Sequence, residues 1–208
     1  TIPVVFLVSD DPIKRRLVAS LNRPGGNATG VAALDEEVAP KRLEVLRELI
    51  PPGTSIGLLV SSADPARAQS QEDNMKAAAR ALGRELLMLR ASTESDLTTA
   101  FATLVERRAN ALVIGPDPFF NSQIERLAAL TVLHRLPAIY QFREFAAAGG
   151  LMSYGGSLTD TYRQVGRYVG RILKGDRPAD LPVAQTVKIE LIINSRTAKA
   201  LGITIPLP

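Results

Sequence analysis

Apolar and polar positions follow two rhythms along this chain. Residues 2–8 (IPVVFLV) form an unbroken apolar run rich in β-branched residues, the pattern of a strand buried on both faces. Shorter strand-like runs recur at 56–60, 85–89, 111–115 and 137–140. Between them the period becomes helical. Leu43, Leu46, Leu49 and Ile50 line one face of a helix opened by Pro40 and stopped by Pro51-Pro52. Met75, Ala78, Ala79 and Leu82 mark a second helix, closed by Gly83. Leu97, Ala100, Phe101, Leu104 and Val105 give the spacing of an amphipathic third. Thr93 and Asp96 suit a capping box at its start, and Arg107-Arg108 the dipole at its end. Residues 118–134 read as one further helix. Repeated strand–helix alternation predicts βαβ units: an α/β, three-layer αβα sandwich on a parallel sheet.

The last third has a different rhythm. A short strand at 151–154 follows Gly149-Gly150. Leu158, Tyr162, Val165, Val169, Ile172 and Leu173 then make one apolar face of a long helix ending at Lys174-Gly175. A proline-containing loop over 176–182 leads to a strand at 187–193, and Ser195 caps a short helix that Gly202 closes. At the other end, Thr1 stands directly before a run patterned as a central strand. A central strand needs neighbours, so the pattern predicts a domain that begins upstream.

Composition narrows the function. With 208 residues, 46% hydrophobic and 22% charged, the chain can bury a sizeable core. No apolar run reaches membrane-span length, and no signal-peptide pattern occurs. The net charge of +4 is scattered. Lys14-Arg15-Arg16 reads as an exposed helix face, which argues against nucleic acid as a partner. The absence of cysteine removes disulfides, thiolate metal sites and thiol nucleophiles. A single histidine, His134, cannot build a metal cluster and suits a helix C-terminus. No nucleophile elbow, histidine triad, two-histidine metal motif or dinucleotide fingerprint is present. The chain therefore reads as a non-enzyme with no cofactor and no metal. Gly25-Gly26-Asn27 with Gly30 lacks the Lys-Ser/Thr of a phosphate loop and reads as a turn joining two elements.

Candidate chemistry sits in the loops after the strands. Three share an Asp-Pro ending: Ser9-Asp10-Asp11-Pro12, Ser61-Ser62-Ala63-Asp64-Pro65 and Gly115-Pro116-Asp117-Pro118. Asp followed by Pro is the N-cap and N1 pair of a helix, so capping explains Asp11, Asp64 and Asp117. The same loops lie at the carboxyl ends of parallel strands, where ligands bind. Ser9, Asp10, Ser61, Ser62 and Asp117 are accordingly also candidate ligand residues. Tyr140 and Glu144 form a further pair, an aromatic wall and a carboxylate suited to an ammonium-bearing ligand. Packing beneath helices is the competing role for the aromatics here, Phe119, Phe120, Phe142 and Phe145.

Several stretches resemble one family: RPGGNATGV at 23–31, PKRLE at 40–44, Pro116-Asp117-Pro118 with Phe119, LPAIY at 136–140, and Phe142-Arg143-Glu144-Phe145. GGLMSYG at 149–155, Ile172-Leu173-Lys174-Gly175 with Pro178-Ala179-Asp180-Leu181-Pro182, and Thr197-Ala198-Lys199-Ala200-Leu201-Gly202 complete the set. In this order they resemble the ABC transporter substrate-binding proteins that include tryptophan- and tyrosine-type transport proteins. The resemblance implies a periplasmic-binding-protein type I-like fold, here one complete lobe plus part of a second. Residues 1–27 and 151–185 would form the partial N-terminal lobe, and 28–150 with 186–208 the C-terminal lobe. It implies a small amino-acid-like solute, aromatic in the tryptophan- and tyrosine-type members, held between lobes and delivered to ABC permease subunits. It implies a periplasmic or extracytoplasmic place, with any signal peptide or lipid anchor outside this chain. It also implies further βα units ahead of residue 2, so that the chain alone would be a fragment prone to dimerise. The alternative is the effector-binding domain of a LacI-like regulator, which shares the architecture; an α/β enzyme would need a motif that is absent.

Overall fold

The computed structural model describes residues 2–33, 35–185 and 188–205. They divide into two compact units, 1–37 with 156–189, and 38–155 with 190–208.

The first unit is built on a sheet of three parallel strands, β1 (Val4–Val8), β2 (Ala28–Ala32) and β8 (Ala184–Gln185), in the order β1-β2-β8. β2 runs in register with β1, from Val4 opposite Ala28 to Val8 opposite Ala32. This places β2 in the first unit and not in the larger lobe expected to begin at residue 28. Gly30 permits the pairing, since a Cβ there would lie 2.1 Å from the carbonyl oxygen of Phe6. The Gly25-Gly26-Asn27 turn precedes β2 as expected, with Gly25 at φ +79°. Thr29 donates from Oγ1 to the Leu181 carbonyl at 2.7 Å, tying β2 to the turn at Pro178–Asp180.

β1 departs from the pattern of a strand buried on both faces: Ile2 is 83% and Val4 48% exposed. The helix α7 (Leu158–Leu173) has the expected bounds, yet much of its apolar stripe faces outward, with Tyr162 59% and Leu173 82% exposed. Nor does a helix follow Asp11-Pro12. Asp11 instead accepts from the amides of Ile13 (2.8 Å) and Lys14 (3.4 Å), making a turn that Arg16 ends at φ +57°. The Lys14-Arg15-Arg16 cluster therefore belongs to a turn, which Asp11 caps locally and which the Arg16 amide closes on the Ile13 carbonyl at 2.9 Å.

The second unit carries six strands in the order β4-β3-β5-β6-β7-β9. β3 (Ile56–Ser61), β4 (Leu86–Ala91), β5 (Ala111–Ile114), β6 (Ala138–Tyr140) and β7 (Met152–Gly155) are parallel, and β9 (Glu190–Ile193) closes the edge antiparallel to β7. The four strands read at 56–60, 85–89, 111–115 and 137–140 thus share one parallel sheet. β7 pairs with β6 and so belongs here, not with the N-terminal lobe read from residue 151. The beginning of the strand read at 187–193 lies outside the described residues.

Helices α1 (Asp35–Leu49), α2 (Pro65–Ala81), α3 (Glu94–Glu106), α4 (Pro118–Ser122), α5 (Ile124–Leu133), α6 (Arg143–Ala147) and α8 (Ser195–Ala200) follow the strands, and α8 is capped by Asn194 rather than Ser195. α1 starts five residues before Pro40 because Asp35, Glu36 and Glu37 favour a helix N-terminus, and Pro40 removes only one intrahelical bond. Asp35 is buried, contrary to a solvated entry. The helix read over 118–134 is two, broken at Gln123. Arg42 of α1 is fully buried and donates from Nε to the Tyr154 carbonyl at 2.7 Å, fastening α1 to the end of β7. The core runs from Leu43 and Leu46 through Ile56, Leu58 and Val113 to Ile139 and Met152.

Candidate functional site at the carboxyl edge of the larger sheet

The parallel register brings the ends of β3, β5 and β6 to one edge, as right-handed βαβ connections require. Ser61, the last residue of β3, is buried and accepts from the Ala63 amide at 3.3 Å. Ser62 is half-buried, with its amide bonded to the Ala91 carbonyl at the end of β4. Asp64 caps α2 through the Arg67 amide at 3.1 Å.

One strand along, Asp117 caps α4 by accepting from the Phe119 amide at 2.8 Å, and its other oxygen lies 3.5 Å from the Arg67 guanidinium. Gln71 of α2 donates to the Pro116 carbonyl at 3.2 Å. Gly115 makes room for it, since a Cβ there would stand 2.9 Å from the Gln71 amide oxygen. Both Asp117 oxygens are thus engaged, one by the helix start it caps and one by Arg67 of α2. Arg67 and Gln71, neither singled out from sequence, hold the loop.

At the end of β6 the geometry departs most from expectation. Tyr140 is fully buried, stacked edge-on against Phe142 and Phe145. Its hydroxyl donates to Asn121 Oδ1 at 2.6 Å. Its ring is therefore core, not an exposed wall, and its polar tip positions Asn121. Gln141 Nε2 donates to the same oxygen at 3.1 Å. Gln141 is 1% exposed, and its own Oε1 has no hydrogen-bond partner. Glu144, in the first turn of α6, lines a cavity of about 660 Å³ together with Asn121, Gln123, Arg126 and Ala148. Its Oε2 is likewise buried without a partner. Asn121 and Gln141 escaped the sequence reading; a glutamine between Tyr140 and Phe142 in a buried stretch was the signal.

Ser9 and Asp10 lie in the first unit, after β1. The Ser9 carbonyl accepts from the Glu36 amide at 3.2 Å, and Asp10 is paired with Arg15 of its own turn. A second depression of about 740 Å³, lined by Ile50, Asn110, Arg135, Pro137 and Leu201, occupies the opposite, amino edge of the larger sheet. His134 ends α5 half-buried, its ring 5.7 Å from that of Phe101. Among the described residues no group of acidic, histidine or cysteine side chains could hold a metal ion, and no helix is long and apolar enough to cross a membrane.

The family model for ABC transporter substrate binding proteins matches residues 1–207. The chain belongs to that family. It is 26% identical over 200 residues to a tyrosine-binding protein of Clostridioides difficile, a match covering 96% of this chain and 57% of that protein. The chain thus spans little more than half the length of that relative. Among solved structures it is similar to an ABC domain from Streptococcus pneumoniae in complex with L-Trp, with 28% identity and a TM-score of 0.82 over 98% of this chain and 68% of that one. A conserved domain protein from Vibrio cholerae gives 29% identity and a TM-score of 0.86 over 99% and 68%. The type I periplasmic-binding architecture implied by the sequence is the fold of these neighbours.

Proposed function

We propose that the protein is the solute-binding component of an ABC importer, capturing an amino-acid-like solute and delivering it to permease subunits outside the cytoplasm. The observation that carries this reading is the family match along the whole chain, reinforced by two relatives described as binding tyrosine and L-Trp. The larger sheet supports it. Its carboxyl edge combines loops held rigid by Asp64, Asp117, Arg67 and Gln71 with a polar cavity beside Asn121 and Glu144. Within that edge, Ser61, Ser62, Asp117 and Glu144 remain the proposed contacts, with Tyr140 acting through Asn121. Ser9 and Asp10 are proposed contacts of the first unit. Membership of a transport family favours this role over a LacI-like effector domain or an enzyme.

A thermal-shift screen of the protein against amino acids, sugars and purines tests it. A ligand at 100 times its Kd stabilises the folded state by about 2.7 kcal/mol, so a true solute raises the melting temperature visibly. Stabilisation by amino acids is expected. Stabilisation by sugars or purines alone, or by nothing, would overturn the assignment.

A further inference from the structure

Two buried acceptors three residues apart in the sequence lack donors: Gln141 Oε1 and Glu144 Oε2. An unsatisfied buried acceptor forfeits its hydration without compensation, and a charged one forfeits more. A fold tolerates such groups where a ligand completes them. Asn121 links the pair to the cavity. Its Oδ1 is saturated by the Tyr140 hydroxyl and the Gln141 amide, and it lines the same wall as Glu144. The Gln141 side chain is therefore one hydrogen bond away from the wall.

The arrangement is built rather than incidental. A Cβ on Gly155 would come within 2.3 Å of the Gln141 carbonyl, so the end of β7 is pressed against this residue. Tyr140, Phe142 and Phe145 pack beneath it and fix the backbone between Tyr140 and Phe145. Neither acceptor receives a hydrogen bond from the side chains around it. Arg126 lines the cavity but is paired with Glu94.

We infer that this cavity receives the ammonium group of the solute, with Glu144 Oε2 as the charged acceptor and Asn121, Gln141 and Tyr140 as positioning residues behind it. This rests on the solute-binding reading above and names the chemistry of one end of the ligand. An ammonium brings donors and a charge, which a neutral hydroxyl does not. The rings of Tyr140, Phe142 and Phe145 are all turned into the core, so this cavity itself selects the cationic end and not an aromatic side chain.

Calorimetric titration with three probes tests the inference: L-tyrosine, tyramine, which keeps the amine and lacks the carboxylate, and 3-(4-hydroxyphenyl)propionate, which keeps the carboxylate and lacks the amine. L-Tyrosine and tyramine should each bind about tenfold or more tightly than the deaminated acid, and Glu144→Gln should abolish that preference. A deaminated acid that binds as tightly as tyrosine, or a Glu144→Gln variant that keeps the preference, overturns it. The wild-type comparison does not depend on the variant folding. If none of the three binds, the aromatic solute is wrong and the cavity is judged alone. Ethylammonium chloride should then raise the melting temperature of wild type above that in equal sodium chloride, and Glu144→Gln should lose this rise. No rise in wild type would leave the two acceptors as hydrated structural groups and end the proposal.

Discussion

The two units use the same strand–helix vocabulary and bury very different amounts of it. In the second unit the sheet is covered closely enough that Leu43, Leu46, Ile56, Leu58, Val113 and Ile139 join one continuous core. In the first, the buried cluster is Val18, Ala32 and Val183, with Phe6, Val8 and Leu21 packed against it. Meanwhile Tyr162, Val169 and Leu173 of α7 remain exposed. A fully buried leucine or isoleucine stabilises by about 1.5–3 kcal/mol, so cohesion concentrates in the second unit. An amphipathic pattern specifies which face a helix offers. Coverage of that face depends on what packs there.

The largest expected effect lies in the well-packed unit. Phe101 is 1% exposed, and Phe101→Ala should cost about 3–5 kcal/mol in a denaturant titration. In the first unit, Val183→Ala should cost only about 1–2 kcal/mol, because its few neighbours can collapse into the space. Equal costs at the two positions would break the contrast.

The next test sharpens it within the second unit. Glu72 is buried and its carboxyl is held below the usual range, first by the hydrogen bond from Arg90 at 2.7 Å, against the opposing effect of burial. A depressed carboxyl pKa contributes stability that is present above the unfolded value, about 4.3, and is lost as pH falls through the folded value. Glu72→Gln should therefore flatten the acid limb of the stability–pH curve and leave its alkaline side unchanged. An unaltered acid limb would place that sensitivity elsewhere.

The smallest effect concerns a helix end. Arg108 follows α3 at φ +53°, with the amide of Ala109 bonded to the Leu104 carbonyl at 2.9 Å. Glycine adopts this conformation without a Cβ clash, so Arg108→Gly should raise stability by about 0.5–1 kcal/mol in thermal unfolding. A loss would mean that the arginine side chain contributes more than its backbone costs.

The unevenness of the two units also separates what was legible in the sequence from what was not. β3, β4, β5 and β6 announced themselves because each is an apolar run bounded by turn residues. Asp64, Asp117 and the Thr93–Asp96 capping box followed from local hydrogen-bond chemistry, and the structure has all three. β2 was illegible: ATGVA lacks a strong apolar run, and only its pairing with β1 makes it a strand. The same non-locality hid the unit boundary and the outward face of α7. At the candidate site, Glu144 was legible as a carboxylate after a strand. The inward turn of the Tyr140 ring was not legible, because spacing gives the position of a ring but not its direction. Asn121 became visible only when β6 brought Tyr140 to it across 19 residues of sequence.

The most direct test of the account is hydrogen exchange of the protein with and without a saturating amino-acid solute. New protection should be concentrated at residues 115–123 and 140–148, the loops and helix starts beyond β5 and β6, with little change around the amino-edge depression at Asn110 and Pro137. Protection at that amino edge instead, with the 140–148 segment unchanged by the bound solute, would contradict it.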